Sequence, residues 1–139
     1  MPALRIQQLV KTYRGAGEPA LAGLDITIEE GEFYGLLGPN GSGKTTMLSI
    51  ACGLLRPDAG EVWVCGFAVP RGLKQVKRQI GLVPQEVALY NRLTLEENLR
   101  FFGAMHGLRG RELAQRMAEC LSTCGVTHPN PIDVMNFLN

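Results

Sequence analysis

Hydrophobic and polar positions change period several times along this chain, and each change marks an element. Leu4, Ile6, Leu9 and Val10 lie among Arg5, Gln7 and Gln8, which predicts a strand over residues 3–10. A glycine-containing loop follows at 13–19. Leu24, Ile26 and Ile28 then alternate with Asp25, Thr27 and Glu29, the pattern of a half-buried strand. Glu30-Gly31 predicts a hairpin-type turn into Phe33-Tyr34-Gly35-Leu36-Leu37, an apolar run suited to a buried strand. Met47, Leu48, Ile50, Ala51 and Leu54 recur near helical spacing, so a helix is expected to run to about Leu54. Pro57 and Gly60 are the expected punctuation after it. Residues 61–65 predict a returning strand, Leu73–Gln79 a short basic helix, and residues 80–84 another apolar strand ending at Gln85.

Two further helices follow. Thr94-Leu95-Glu96-Glu97 has the form of a capping box, with Thr94 as N-cap and Glu97 reaching back. Leu95, Leu99, Phe102 and Met105 predict a core-facing stripe, and Gly107 the end of that helix. The next helix carries Leu113, Met117, Leu121 and Cys124 on one face and ends near Gly125. Its Arg111, Glu112, Arg116 and Glu119 read as a solvated face. No internal repeat or low-complexity segment is present.

The chemistry sits between the second apolar run and the first helix. Gly38, Pro39, Asn40, Gly41, Ser42, Gly43, Lys44 and Thr45, with Thr46 behind them, fit the phosphate-binding (Walker A) pattern of Gly, four residues, Gly-Lys-Thr. A strand before and a helix after are the context that pattern requires. Glycines allow the backbone to wrap closely and turn its N–H groups inward. The helix that begins there points its positive dipole end at the same anion. Lys44 is the expected partner of the β- and γ-phosphates, and the Thr45 hydroxyl that of Mg²⁺. Thr46 is suited to capping the helix or bonding a phosphate. The pattern predicts a nucleoside triphosphate site.

Composition narrows the class further. The 139 residues form a chain long enough for a real core, 45% hydrophobic and 19% charged, as expected of an ordinary globular protein. A net charge of +1 offers no electrostatic grip on nucleic acid or anionic lipid. The residues around 47–55 are too short an apolar run to cross a bilayer, and the N-terminus lacks a signal peptide's apolar core. Cys52, Cys65, Cys120 and Cys124 lie among apolar neighbours and read as buried, reduced thiols of a cytosolic compartment. His106 and His128 stand alone and form no catalytic constellation.

Several segments in order resemble an ATP-binding cassette (ABC) transporter nucleotide-binding domain. They are Tyr13, the loop 38–46, Leu54-Leu55-Arg56-Pro57-Asp58-Ala59-Gly60, Val83-Pro84-Gln85-Glu86, and Leu93-Thr94-Leu95-Glu96-Glu97-Asn98-Leu99. Phe101-Phe102-Gly103 and His106-Gly107 are similar to exporter ATPases of the antibiotic- and drug-export kind. The resemblance covers residues 1–125, the N-terminal part of such a domain, and leaves 126–139 as a divergent tail. It implies an α/β fold, a P-loop NTPase core with a parallel sheet and helices, preceded by an antiparallel β subdomain.

By the same resemblance Tyr13 stacks on adenine, a task for which an aromatic ring is suited. Gln85 touches Mg²⁺ and the attacking water, its amide able both to donate and to accept. Lys44 and Gln85 are thus the expected catalytic residues, Thr45 and Gln85 the metal-side ones, and ATP with Mg²⁺ the cofactor. Val87, Ala88, Leu89 and Tyr90 resemble the groove that receives a membrane-spanning subunit, and a second nucleotide-binding subunit is the other implied partner. The place of work is the cytoplasmic face of a membrane.

The chain departs from the family after Gly125. A Leu-Ser-Gly-Gly motif, an apolar strand ending in Asp-Glu and a switch histidine are implied there, and residues 126–139 contain none of them. Asp133 has no apolar strand ahead of it. Glu86 and Glu96 are nearby acids, but nothing sets either against the attacking water. The expectation is therefore a piece of a longer protein, one that binds ATP but hardly hydrolyses it alone. A missing neighbour strand also predicts an exposed apolar edge beside the strand that leads into the phosphate loop. The alternatives are an ATP-binding regulatory module without turnover, or an unrelated P-loop NTPase or kinase. The second is disfavoured by the aromatic ahead of the loop and the Pro-Gln segment after it.

Overall fold

The computed structural model describes residues 1–85 and 89–125, which pack as two compact units, Met1–Val83 and a second beginning at Pro84. The first unit is a four-stranded antiparallel sheet carrying two helices. Strands β1 (Leu4–Lys11) and β2 (Leu21–Ile28) pair with Leu4 opposite Ile28 and Ile6 opposite Ile26. Helix α1 (Lys44–Ala51) follows the phosphate loop. Strand β3 (Ala59–Val64) lies on the other side of β1, with Ile6 opposite Val62, and β4 (Phe67–Val69) pairs with β3. Helix α2 (Leu73–Gln79) closes the unit. The strand order is β2-β1-β3-β4. One core joins sheet and helices: Ile6, Leu9, Ile26, Val62 and Val64 from strands, Met47, Ile50 and Ala51 from α1, and Val76 from α2. Alternation in the strands and helical spacing in α1 aim these side chains at one another.

Two local devices were not legible as such in the pattern. Helix α1 stops at Ala51, earlier than the apolar spacing implies, because Gly53 adopts φ +70° behind it. The Leu54 N–H donates to the Ser49 carbonyl (2.8 Å) and the Gly53 N–H to that of Ile50 (2.9 Å), the Schellman arrangement. Gly53, and not Pro57 or Gly60, is the stop. The hairpin β3–β4 turns on Cys65 (φ +45°) and Gly66 (φ +78°), two left-handed residues as a two-residue primed turn requires. A Cys-Gly pair is a weak sequence signal for such a turn, so β4 went unread.

Gly60 has a different duty. It sits at φ +87° where β1 bulges, and a Cβ there would lie 2.6 Å from the Gln7 carbonyl oxygen. No side chain fits between the two strands at that point.

Two expected strands do not form. Residues 33–37 and 80–84 belong to no ladder, and the only pairings among the described residues are antiparallel. Phe33 is 100% exposed, Leu37 94% and Val83 93%. Each run has a strand's composition, but a strand exists only against a partner's N–H and C=O groups. None of the described residues supplies one. The sequence leads one to expect a strand with an exposed edge here; the side chains are exposed, but the run forms no strand and so has no edge.

In the second unit, α3 (Leu95–Met105) begins with the full capping box: the Thr94 hydroxyl accepts the Glu97 N–H, and the Glu97 carboxylate accepts the Thr94 N–H. Gly107 (φ +87°) ends it, with the Leu108 N–H on the Gly103 carbonyl at 3.0 Å. Helix α4 (Gly110–Thr123) buries Leu113 and Met117, and Leu113 packs where a Cβ on Gly103 would stand. The predicted α3 stripe is only half-buried at Leu95, Leu99 and Phe102, and Met105 is 70% exposed. The buried residue of α3 is instead Asn98. Its amide donates to the carbonyls of Tyr90, Leu93 and Thr94, and its oxygen accepts the Tyr90 N–H, so the loop before α3 is tied to it at both ends. Tyr90 rests edge-on against Phe101, ring centroids 5.0 Å apart.

Two outcomes are expected. Gly60→Ala should lower unfolding stability by about 1–3 kcal/mol in a urea titration, since it combines left-handed strain with a main-chain collision. Phe33→Lys with Val83→Lys should reduce concentration-dependent association in sedimentation without changing the circular dichroism spectrum.

Candidate functional site

The phosphate loop ends where α1 begins, and both are shaped by glycines. Gly41 and Gly43 lie at φ +86° and +87°. Gly43 is the residue before the helix and is buried. A Cβ on it would stand 2.5 Å from the Ala20 carbonyl oxygen and 2.7 Å from Leu21 Cδ2. The loop is thereby seated on the start of β2. A Cβ on Gly38 would lie 2.6 Å from Ser42 Oγ, so the two ends of the loop also close on each other.

The first hydrogen bond of α1 is from the Met47 N–H to the Gly43 carbonyl, 2.9 Å. The N–H groups of Lys44, Thr45 and Thr46 precede it and belong to the helix's unsatisfied first turn. No side chain caps this end and no acidic residue stands in its first turn. Such an end favours an anion. Lys44 turns back over the loop: its ammonium donates to the carbonyls of Gly38 (2.6 Å) and Pro39 (2.8 Å) and to Ser42 Oγ (3.3 Å). Three donors meet three loop acceptors, so the charge is held at the mouth of the ring of amides. The Ser42 N–H closes the turn on the Pro39 carbonyl at 3.2 Å. Thr45 is exposed beside Lys44, while Pro39 and Asn40 form the exposed crest.

Tyr13 comes to the same place from β1. Its hydroxyl lies 3.1 Å from Thr46 Oγ1, and Thr46 is itself buried. The Thr46 hydroxyl thus faces Tyr13, whose ring stays 46% exposed. Loop, lysine, threonines and tyrosine form one constellation within the first unit. The residues fit a nucleotide: a loop closed too tightly at Gly38 and Gly43 for side chains, one cation, one exposed hydroxyl and one half-exposed tyrosine.

Gln85 belongs to the second unit, where it is exposed. Of the expected groove, Leu89 is half-buried and Tyr90 half-exposed, while Val87 and Ala88 lie outside the described residues, as do Glu86, Asp133 and the whole 126–139 tail. No cluster of three His, Cys, Asp or Glu able to hold a metal occurs among the described residues. None of the helices described is long and apolar enough to cross a membrane. The cysteines are less buried than expected. Cys52 and Cys65 are half-buried, and burial pushes the Cys52 thiol up. Cys120 and Cys124 are exposed, because the covered face of α4 ends at Met117 and half-buried Leu121.

One contributor went unnoticed in the sequence. Asp58 reads there as part of a helix-breaking turn, yet its carboxylate accepts from Lys11 Nζ (2.8 Å) and the Thr12 N–H (2.7 Å). The signal was its place in Pro57-Asp58-Ala59-Gly60, a segment that carried the resemblance without a physical reason. Lys11's hydrogen bond, then that of Thr12, then the lysine's charge hold Asp58 below the usual carboxylate range.

A family model described as ABC transporter matches residues 21–136. The linearmycin resistance ATP-binding protein LnrL of Bacillus subtilis (strain 168) is 40% identical over 124 residues, 89% of this chain and 39% of that protein. Among solved structures, the ATP-binding cassette MJ0796, a dimer in a post-hydrolysis state bound to ADP and Pi, is similar with a TM-score of 0.69 and 34% identity. The match covers 86% of this chain and 56% of that one. Clostridium perfringens cbiO1, part of the ABC transporter complex cbiONQ, gives a TM-score of 0.80 at 26% identity, over 92% of this chain and 52% of that one. The chain thus spans about two-fifths of that relative and about half of each solved chain.

The Asp58 pair makes a pH prediction. Folding lowers this pKa, so its contribution is complete above the ordinary carboxylate value of about 3.9 and is lost as pH falls through the lower folded value. Urea midpoints should therefore fall on acidification below about pH 4, and Asp58→Asn should shrink that fall relative to the parent chain.

Proposed function

The chain belongs to the ABC transporter ATP-binding family, and from that membership we propose that it holds the nucleotide-binding half-site of a transport ATPase. The observation that carries this reading is the single constellation of Lys44, the loop glycines, Thr46 and Tyr13. When bound, Mg·ATP supplies the phosphoryl group whose hydrolysis the family couples to transport. Lys44, whose ammonium sits on the Gly38 and Pro39 carbonyls, would hold phosphate oxygens and supply the charge that neutralises them. Thr45 presents its hydroxyl to Mg²⁺, and the Tyr13 ring stacks on adenine. By resemblance to the family alone, Gln85 would be a metal-side contact and would sense the attacking water. The relative bound to ADP and Pi as a dimer supports both the ligand and the need for a second nucleotide-binding subunit.

The partner of Leu89 and Tyr90 is proposed to be a membrane-spanning subunit, which places the protein peripherally on the cytoplasmic face of a membrane. Membership of cbiO1 in a transporter complex supports such an assembly. The name of the linearmycin resistance relative supports a drug-export role for the parent system. Domain organisation is proposed as residues 1–125 for the cassette's N-terminal part and 126–139 for a divergent tail. Residues 1–139 contain no Leu-Ser-Gly-Gly and no Asp-Glu after an apolar strand. We therefore expect binding without appreciable turnover, since the water-polarising acid and the metal-side carboxylate are wanting.

A titration of fluorescent ATP against the purified chain, with Mg²⁺ and with phosphate release followed in parallel, tests this. Saturable binding, weakened at least about tenfold by Lys44→Ala and accompanied by no steady turnover, is the expected result. Metal-dependent turnover abolished by Lys44→Ala would contradict the binding-only reading. Absence of ATP binding would contradict the site.

A further inference from the structure

Tyr13 comes from outside the loop and meets it through one contact, its hydroxyl on Thr46 Oγ1 at 3.1 Å, which leaves the backbone that carries it to be held elsewhere. It follows the last residue of β1 by two positions, and it is exposed enough that its own packing cannot fix the backbone. Three contacts do. The Asp58 carboxylate accepts the Thr12 N–H at 2.7 Å, immediately before Tyr13. The Asp58 N–H donates to the Val10 carbonyl at 3.0 Å, so Asp58 grips the strand end from both its backbone and its side chain. The Ala16 N–H returns to the Tyr13 carbonyl at 3.0 Å in a turn with Gly15 at φ +87°, the position at which a type II turn needs glycine.

We propose that Asp58 is a positioning residue for base recognition: through Thr12 it aims the Tyr13 ring at the adenine plane. This rests on the proposed stacking role of Tyr13. Lys11 accompanies the contact at 2.8 Å, but it bonds the carboxylate oxygen that Thr12 does not use. It neutralises Asp58 and does not itself aim the ring. The neighbouring Gly60 explains the tight spacing of the segment. Only a glycine lets the chain after Asp58 pass the β1 bulge at Gln7 and Gln8, so Asp58 is delivered opposite Thr12. The segment 57–60 then acts on the nucleotide's base from the far side of the strand, with no contact to the phosphates.

The geometry separates base from phosphate, and so does the test. Affinities for Mg·ATP and for inorganic tripolyphosphate are measured on the parent chain, Asp58→Ala, Asp58→Asn, Lys11→Met, Tyr13→Ala and the Asp58→Ala/Tyr13→Ala double variant. Asp58→Ala is expected to weaken ATP about tenfold, the scale of one lost base–aromatic stack, and to leave tripolyphosphate unchanged. Tyr13→Ala should do the same, with the double variant no worse than either single one. Asp58→Asn, whose amide oxygen still accepts from Thr12, and Lys11→Met should stay within about twofold of the parent. If Asp58→Ala does not fold, Asp58→Leu, which keeps the bulk but cannot accept the Thr12 N–H, supplies the same comparison.

Equal weakening of ATP and tripolyphosphate would overturn the inference, because that is the mark of general damage. So would an unchanged ATP affinity in Asp58→Ala beside a weakened Tyr13→Ala. An unchanged ATP affinity in Tyr13→Ala would overturn the stacking reading itself, and the inference with it.

Discussion

The contact on which this arrangement depends is the seating of Gly43 against the Ala20 carbonyl and Leu21. At that point a helix begins, a loop ends and a sheet starts, all within a distance that excludes a methyl group. Because α1 starts there, Met47 and Ile50 fall onto the sheet's inner face one turn later. Because the loop ends there, the unsatisfied first-turn N–H groups of α1 begin where the loop finishes. The core and the anion site are consequences of one close approach, and the glycine that permits it carries no chemistry of its own.

That approach gives the proposed site two halves of different origin, one proposed for the phosphates and one for the base. The phosphate half is local: a few consecutive residues, closed on themselves by Lys44, Ser42 and Pro39. The base half is long-range. Tyr13 reaches Thr46 across 33 positions, and Asp58 reaches Thr12 across 46. A local half can form wherever its short motif finds a strand start to sit on. A long-range half requires the antiparallel sheet to be in register, since β1 must end at the residue that the segment before β3 can hold.

This difference governs how much was legible in the sequence. The helix that starts behind the loop, the capping box at Thr94 and Glu97, the helix Leu73–Gln79 and the two alternating strands were all read correctly, because each is encoded by neighbours in the chain. Gly53 as helix stop and the Cys65-Gly66 turn were missed, since their signal is backbone conformation and not residue periodicity. Asp58 and Asn98 were missed for a related reason. Both are polar residues whose value lies in which main-chain groups the fold brings to them, and those lie in loops. Residues 33–37 and 80–84 have the right composition for strands and the wrong surroundings. Composition states what a segment can do, and pairing depends on a neighbour that the described residues do not provide.

On the proposed function, one nucleotide engages the local and long-range halves together. The most direct measurement is amide and aromatic NMR on the ¹⁵N,¹³C-labelled chain during titration with Mg·ATP. The amides of Gly41, Ser42, Gly43, Lys44 and Thr45 and the ring of Tyr13 are expected to shift along one common binding curve, with Thr12 following. Shifts confined to the loop with Tyr13 unmoved, or centred on residues outside this constellation, would contradict it.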